Sequence, residues 1–216
     1  MTAVYENSGG SEFNASGRTS HTFSYTVGSG SNRVLFVGVG SYNATGGNKV
    51  SGVTYNGVAM TLVDTAEAQS NTFISLWRLD NPASGANNVV VTFSTSQTYG
   101  WCVAGSYEDA GTPDASAKQD RDTDTTTEVT VTTVTDNSIL VGIMFDNSSG
   151  QTATANSIER IQVGRSALFE SSTAKATAGA FLITSTNAST ASCGIFAALP
   201  PAGGGGVQNS AFLQVL

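Results

Sequence analysis

One histidine, two cysteines and a scatter of carboxylates are the groups in this chain equipped for covalent or acid–base chemistry. A hydrolytic triad needs a nucleophile, a base and an orienting acid within hydrogen-bond reach. His21 is the only histidine, and no Gly-x-Ser-x-Gly elbow accompanies it. Zinc sites want several His or Cys ligands at short spacing, whereas Cys102 and Cys193 stand far apart. Glu67, Asp109, Glu159 and Glu170 are available for a glycosidase pair, but nothing in their spacing sets two of them across a cleft. Asp120-Arg121-Asp122-Thr123-Asp124 offers oxygens at alternate positions, as calcium loops do. It lacks the turn glycine and the closing glutamate, and Arg121 lowers its charge, so it reads as a solvated acidic loop. The sequence predicts no catalytic residue, no metal site and no cofactor.

Non-covalent chemistry is better represented. A sugar ring packs its C–H face on a flat π-system, and Tyr42, Tyr55, Trp77, Tyr99 and Trp101 are the candidates for such a platform. Trp77 and Trp101 have apolar neighbours and read as core. Tyr42, in Ser41-Tyr42-Asn43, and Tyr99, after Ser96-Gln97-Thr98, sit nearer loops and are the ligand-facing pair the sequence favours. Four Asn-x-Ser/Thr sequons, at Asn14, Asn43, Asn147 and Asn187, follow from an Asn/Ser/Thr-rich composition.

The elements that must position these residues are strands. His21–Val27 alternates, and Arg33–Tyr42 is a nearly continuous apolar run. Val53–Val63 is broken by Asn56-Gly57, the pair that a type I′ hairpin turn demands. Thr72–Leu79 ends at the turn cluster Asp80-Asn81-Pro82-Ala83-Ser84-Gly85. Asn88–Ser94 and Tyr99–Tyr107 follow. After a polar connector at 111–126, the pattern begins again with Glu128–Val134 and Ile139–Phe145. Residues 153–160 suit either a short helical turn or an irregular strand. Ala167–Glu170, Ala178–Ser185 and Ser192–Leu199 complete the set.

The chain thus repeats itself. Asn32-Arg33-Val34-Leu35-Phe36-Val37-Gly38-Val39 is echoed by Asn137-Ser138-Ile139-Leu140-Val141-Gly142-Ile143-Met144. Cys102 and Cys193 fall in late apolar strands of the two halves, at what read as matching points. They are expected either as small buried hydrophobes or as one disulfide.

Charged residues are only 12% of the chain, about half the usual fraction, and Thr, Ser, Asn and 24 glycines take their place. β-branched and small polar residues suit strands and turns and disfavour helices. A net charge of -7 without a basic stripe argues against nucleic acid. No run approaches a transmembrane helix in length, so no membrane partner is expected. Met1 without a basic and apolar leader points to assembly in the cytoplasm, a signal removed before Met1 being the alternative.

The succession Asn32-x-x-Leu35-x-Val37-Gly38-Val39, Val53-Thr54-Tyr55-Asn56-Gly57-x-x-Met60-Thr61, Leu76-Trp77-x-Leu79, Asn81-Pro82-x-x-Gly85-x-Asn87-x-Val89-x-Val91-Thr92-Phe93 and Tyr107-x-Asp109-Ala110-x-Thr112-Pro113 resembles jelly-roll-like β-sandwich modules. These occur in tailed-phage virion proteins and in bacterial surface proteins. The resemblance covers about residues 20 to 200. It implies a structural or binding role with no catalytic set to carry over.

The expected fold is all-β: an antiparallel, jelly-roll-like β-sandwich in residues 1–202, built from related halves at about 20–112 and 127–200. Residues 203–216 form a glycine tether followed by an apolar end, Val207, Phe212, Leu213, Val215 and Leu216. That end reads either as a last strand of the same sandwich or as an assembly arm on a neighbouring subunit. The expected function is a non-enzymatic virion structural protein, a capsid decoration or fibre subunit. Its expected partners are its own copies, other virion proteins and a host-surface glycan. The alternatives are a glycan-binding adhesive module on a virion or cell surface and a subunit of an extracellular filament.

Overall fold

The computed structural model describes residues 2–42, 46–122, 124–148, 150–189 and 191–203. The chain is all-β and antiparallel, and its long axis is set by two strands of 24 residues each, β1 (Val4–Val27) and β7 (Gly85–Glu108). They pair along their whole length, Val4 opposite Glu108 and Val27 opposite Gly85. The register shifts between Asn14 and Ser20. Such bulges bend a strand and sharpen its twist. The ribbon therefore folds over, and its two ends lie in different layers of one continuous sheet.

The inner layer is completed by β2 (Val34–Tyr42), β6 (Thr72–Asp80) and β5 (Thr61–Gln69), in the order β1-β7-β2-β6-β5. The outer layer adds β3 (Val50–Tyr55) and β4 (Val58–Ala59) to the far ends of β7 and β1. The β3–β4 turn is Asn56-Gly57, with φ of 50 and 76°, as the hairpin signal required. Alternate residues of the two layers enclose one core. Leu35, Val37, Val39 and Trp77 come from the inner face, and Tyr25, Val53, Tyr55, Val89 and Val91 from the outer one.

The second half repeats this arrangement without a counterpart of β4. Its inner sheet runs β12 (Ser157–Val163), β13 (Ser166–Ser171), β10 (Ile139–Asp146), β15 (Ser192–Leu199) and β8 (Ala115–Asp122). Its outer sheet runs β11 (Thr152–Ala153), β14 (Gly179–Thr186) and β9 (Thr126–Thr133). Val129, Val131, Leu140, Met144, Phe169, Ile183 and Phe196 fill the space between. Each half has the two-sheet order of a jelly roll. In the second half the two long strands are simply interrupted, β8 and β9 standing for β1, and β14 and β15 for β7.

The two jelly rolls stack through their inner sheets. Val34, Phe36, Ile74, Leu76 and Val103 of the first meet Ile139, Val141, Ile143, Phe145, Leu168 and Ile195 of the second. The central inner strands β2, β10, β13 and β15 are consequently buried on both faces, which is why β2 and β10 read as unbroken apolar runs. Side chains lace the seam at both edges. Lys118 Nζ donates to the Thr65 carbonyl, and the Glu67 amide to Asp120 Oδ1, both at 2.8 Å. On the other edge Ser8 Oγ donates to the Arg160 carbonyl at 3.0 Å, and the Arg160 guanidinium lies 4.0 Å over the Tyr5 ring while gripping Glu170 with two hydrogen bonds.

Two expectations need correction, and one open alternative is decided. The halves begin at residues 4 and 115, because β1 and β8 are strands of the inner sheets; much of the 111–126 connector is β8. Of the two alternatives for residues 153–160 the irregular strand holds: the end of β11, a turn and the start of β12 occupy them, and the register of β12 shifts between Glu159 and Ile161. The cysteines do not match. Trp101 faces Gly40 in the β2–β7 ladder as Cys193 faces Phe145 in the β10–β15 ladder, so the counterpart of Cys193 is Trp101. A one-residue offset reverses the face of a strand residue. Cys102 accordingly points into the first core and Cys193 into the central one, and both are free thiols.

Candidate functional site

The strongest site candidate lies where the central core opens at one end of the seam. Tyr42 is the last residue of β2, and its register partner on β7 is Tyr99. The two candidates that sequence placed separately are thus cross-strand neighbours, with ring centroids 5.9 Å apart and planes at 61°. Two residues on, Trp101 shares the face of Tyr99, and the two rings lie parallel within 4° at 6.2 Å. Period-two geometry puts them on the same side of the strand. Trp101 also packs on Phe145, so its inner edge is core while its outer edge borders the open groove.

The groove has a volume of about 620 Å³, in the range of small-ligand sites. Polar side chains from four other elements rim the aromatic row. Glu12 and Asn14 come from β1, directly opposite Trp101 and Tyr99 in the ladder. Gln69 and Asn71 come from the β5–β6 hairpin, and Asn147 and Arg165 from the second half. Amides donate and accept at once, the carboxylate accepts and the guanidinium donates. Together with flat apolar rings they match a polyol: C–H faces stack, hydroxyls are bridged.

The Arg165 guanidinium stands 5.5 Å over the Trp101 ring, and its Nη1 donates to Asn147 Oδ1 at 2.5 Å. Its carbonyl accepts from the Asp146 amide at 3.0 Å. The buried Asp146 carboxylate in turn takes the amides of Ser148, Gly150 and Ala188. The second-half wall of the groove is therefore fixed from beneath.

The remaining candidates lie elsewhere. Trp77 is first-half core, donating to Ser75 Oγ at 2.9 Å, and Tyr55 donates to the Gly85 carbonyl. His21 is buried between Phe13 and Phe23 with no partner for Nε2 among the described residues, and burial lowers its pKa, as does the nearby Arg18 charge. Burial pushes the Cys102 thiol up to about 12 and raises Cys193 too. Glu170 is taken up by Arg160; Glu67, Asp109 and Glu159 lie on β5, in the turn after β7 and on β12. Among the described residues no three His, Cys, Asp or Glu side chains are grouped to hold a metal ion. Asn14 and Asn147 of the sequons line the groove, Asn187 is buried against Thr127 and Ser192, and Asn43 lies outside the described residues. So do Val207, Phe212, Leu213, Val215 and Leu216.

Sequence reasoning missed Glu12, Gln69, Asn71 and Arg165, since strand, hairpin and turn residues of two halves meet only in three dimensions. Laying one half on the other offered a signal. Tyr42, Tyr99 and Trp101 correspond to Asn147, Ala191 and Cys193, so the aromatic row belongs to one half alone. No family model, no curated protein and no solved structure matches the chain.

Proposed function

We propose that the protein is a non-enzymatic surface subunit of a tailed-phage virion that binds saccharide in the groove at the end of its seam. The observation that carries this reading is the Tyr42–Tyr99–Trp101 row, rimmed by amides and one ion of each sign. A purely architectural subunit has no need of it. The second half carries Asn147, Ala191 and Cys193 at the corresponding positions, with no aromatic row, and keeps the same fold.

The virion setting is supported by the order of strand and turn motifs, which resembles phage and bacterial surface modules, and by a fold used for capsid and lectin domains alike. Fold alone assigns no function, so the site has to be tested. On a glycan array and by titration calorimetry, the intact protein is expected to retain a subset of oligosaccharides. Tyr42→Ala and Tyr99→Ala are each expected to weaken that binding at least about fivefold, a stacking contact being worth about 1 kcal/mol or more. Binding that survives both substitutions, or no glycan bound at all, sinks the proposal.

A further inference from the structure

Arg165 is the single cation among the described residues that line the groove. A free surface arginine would sweep out many rotamers. This one is held on the Trp101 face, tied by Asn147 and rooted in a backbone that Asp146 pins. Only one of its five N–H donors is engaged by a described residue. The rest form a planar fork next to the aromatic row. That fork fits two carboxylate oxygens, as an ammonium does not.

Glu12 lines the same groove but is exposed to water. Solvent screens its charge, and its oxygens suit sugar hydroxyls. The net charge of -7 opposes long polyanions, while a single carboxylate seated on a fixed guanidinium meets that field only weakly.

Resting on the saccharide reading, we propose that the groove selects sugars bearing a carboxylate, uronic acids and their kin, with Arg165 as the residue that reads the acid. The aromatic row supplies the stacking common to all sugars. Arg165 supplies the discrimination.

The test is a panel of oligosaccharides, each paired with the same oligosaccharide whose carboxyl groups have been reduced to hydroxymethyl. Intact protein is expected to bind the acidic member of a pair about tenfold more tightly, the scale of a hydrogen bond to an ion. Arg165→Gln is expected to bring that ratio to within about twofold, with Arg165→Lys between the two, and circular dichroism unchanged in both. Equal affinity for the two members in the intact protein overturns the carboxylate assignment and leaves the saccharide site standing. A preference that persists in Arg165→Gln overturns the role of Arg165. No binding of any pair removes both readings together.

Discussion

Gly38 of β2 stands directly against Ile143 of β10, at the centre of the seam between the two jelly rolls. A Cβ placed on Gly38 would lie 2.7 Å from Ile143 Cδ1 and 2.8 Å from its Cβ. These two residues hold the same place in the repeat. Asn32 and Asn137 open the matched strands with φ of 50 and 61°, and counting forward from each reaches Gly38 and Ile143. One copy has kept a large side chain and the other has none, so two related faces fit as knob and hollow. Gly105 does the same for Leu168, whose Cδ2 occupies the space a Cβ would need.

Substituting Gly38 therefore tests the stack itself. Gly38→Ala drives a methyl into Ile143, and overpacking of this kind costs about 1–3 kcal/mol. The expected outcome is a lower urea midpoint with an unchanged slope. In an Ile143→Ala background the same substitution should cost less than in the intact protein, because the two sites share one space and their effects do not add. Equal cost in both backgrounds would show that the inner sheets are not in contact here.

The repeat was legible in the sequence because doubly buried strands leave a strong mark, as in Val34–Val39 and Ile139–Met144. The turns at Asn56-Gly57 and Asn81-Pro82 were legible because left-handed backbone selects Asn and Gly; Asn56 and Asn81 both have positive φ. The front of β1 was not. Asn7, Ser8, Gly9 and Gly10 carry no alternation, and the ladder to β7, rather than their own propensity, makes them a strand. Polar β8 was hidden in the same way, since it is recruited by β15. Tyr42 and Tyr99 were found as residue types, yet their pairing depends on a register that only the folded sheet defines.

His21 links stability to pH. Its pKa in the folded protein is below the ordinary 6.5, through burial first and the Arg18 charge second. The unfolded chain takes up the proton at higher pH than the folded one. Stability contributed by neutral His21 is thus complete above about pH 6.5 and is lost as pH falls from there towards the folded pKa. Urea midpoints at about pH 7.5 and pH 5.5 should differ more for the intact protein than for His21→Phe, which keeps the ring stack with Phe13 and Phe23 and has no proton to gain. An identical pH response in the variant rules out His21 as the cause.

The two thiols should be silent in the native protein. Burial pushes the Cys102 thiol up to about 12, so at about pH 8 the reactive thiolate is scarce, and burial bars access as well. Treatment with a disulfide-exchange reagent is expected to modify neither cysteine natively and both in denaturant. Rapid native labelling of Cys193 would mean that the central core opens far more often than its packing implies.

The segment after Gly203 can be assigned to core or to assembly by removing it. All three cores of the described residues are built from positions up to Leu199. The chain is then fastened where Pro201 bridges Ala110 and the Ala202 amide donates to the Asp109 carbonyl at 2.7 Å. A chain ending at Gly203 is therefore expected to fold, with a melting midpoint within about 2 °C of the full chain, equivalent to under about 1 kcal/mol for a protein this size. Light scattering on the same pair reads assembly. Loss of higher-order species in the truncated chain makes Val207, Phe212, Leu213, Val215 and Leu216 a docking arm for another subunit. A fall of about 10 °C or more would instead place that segment inside the fold's own core, and the arm assignment would fail.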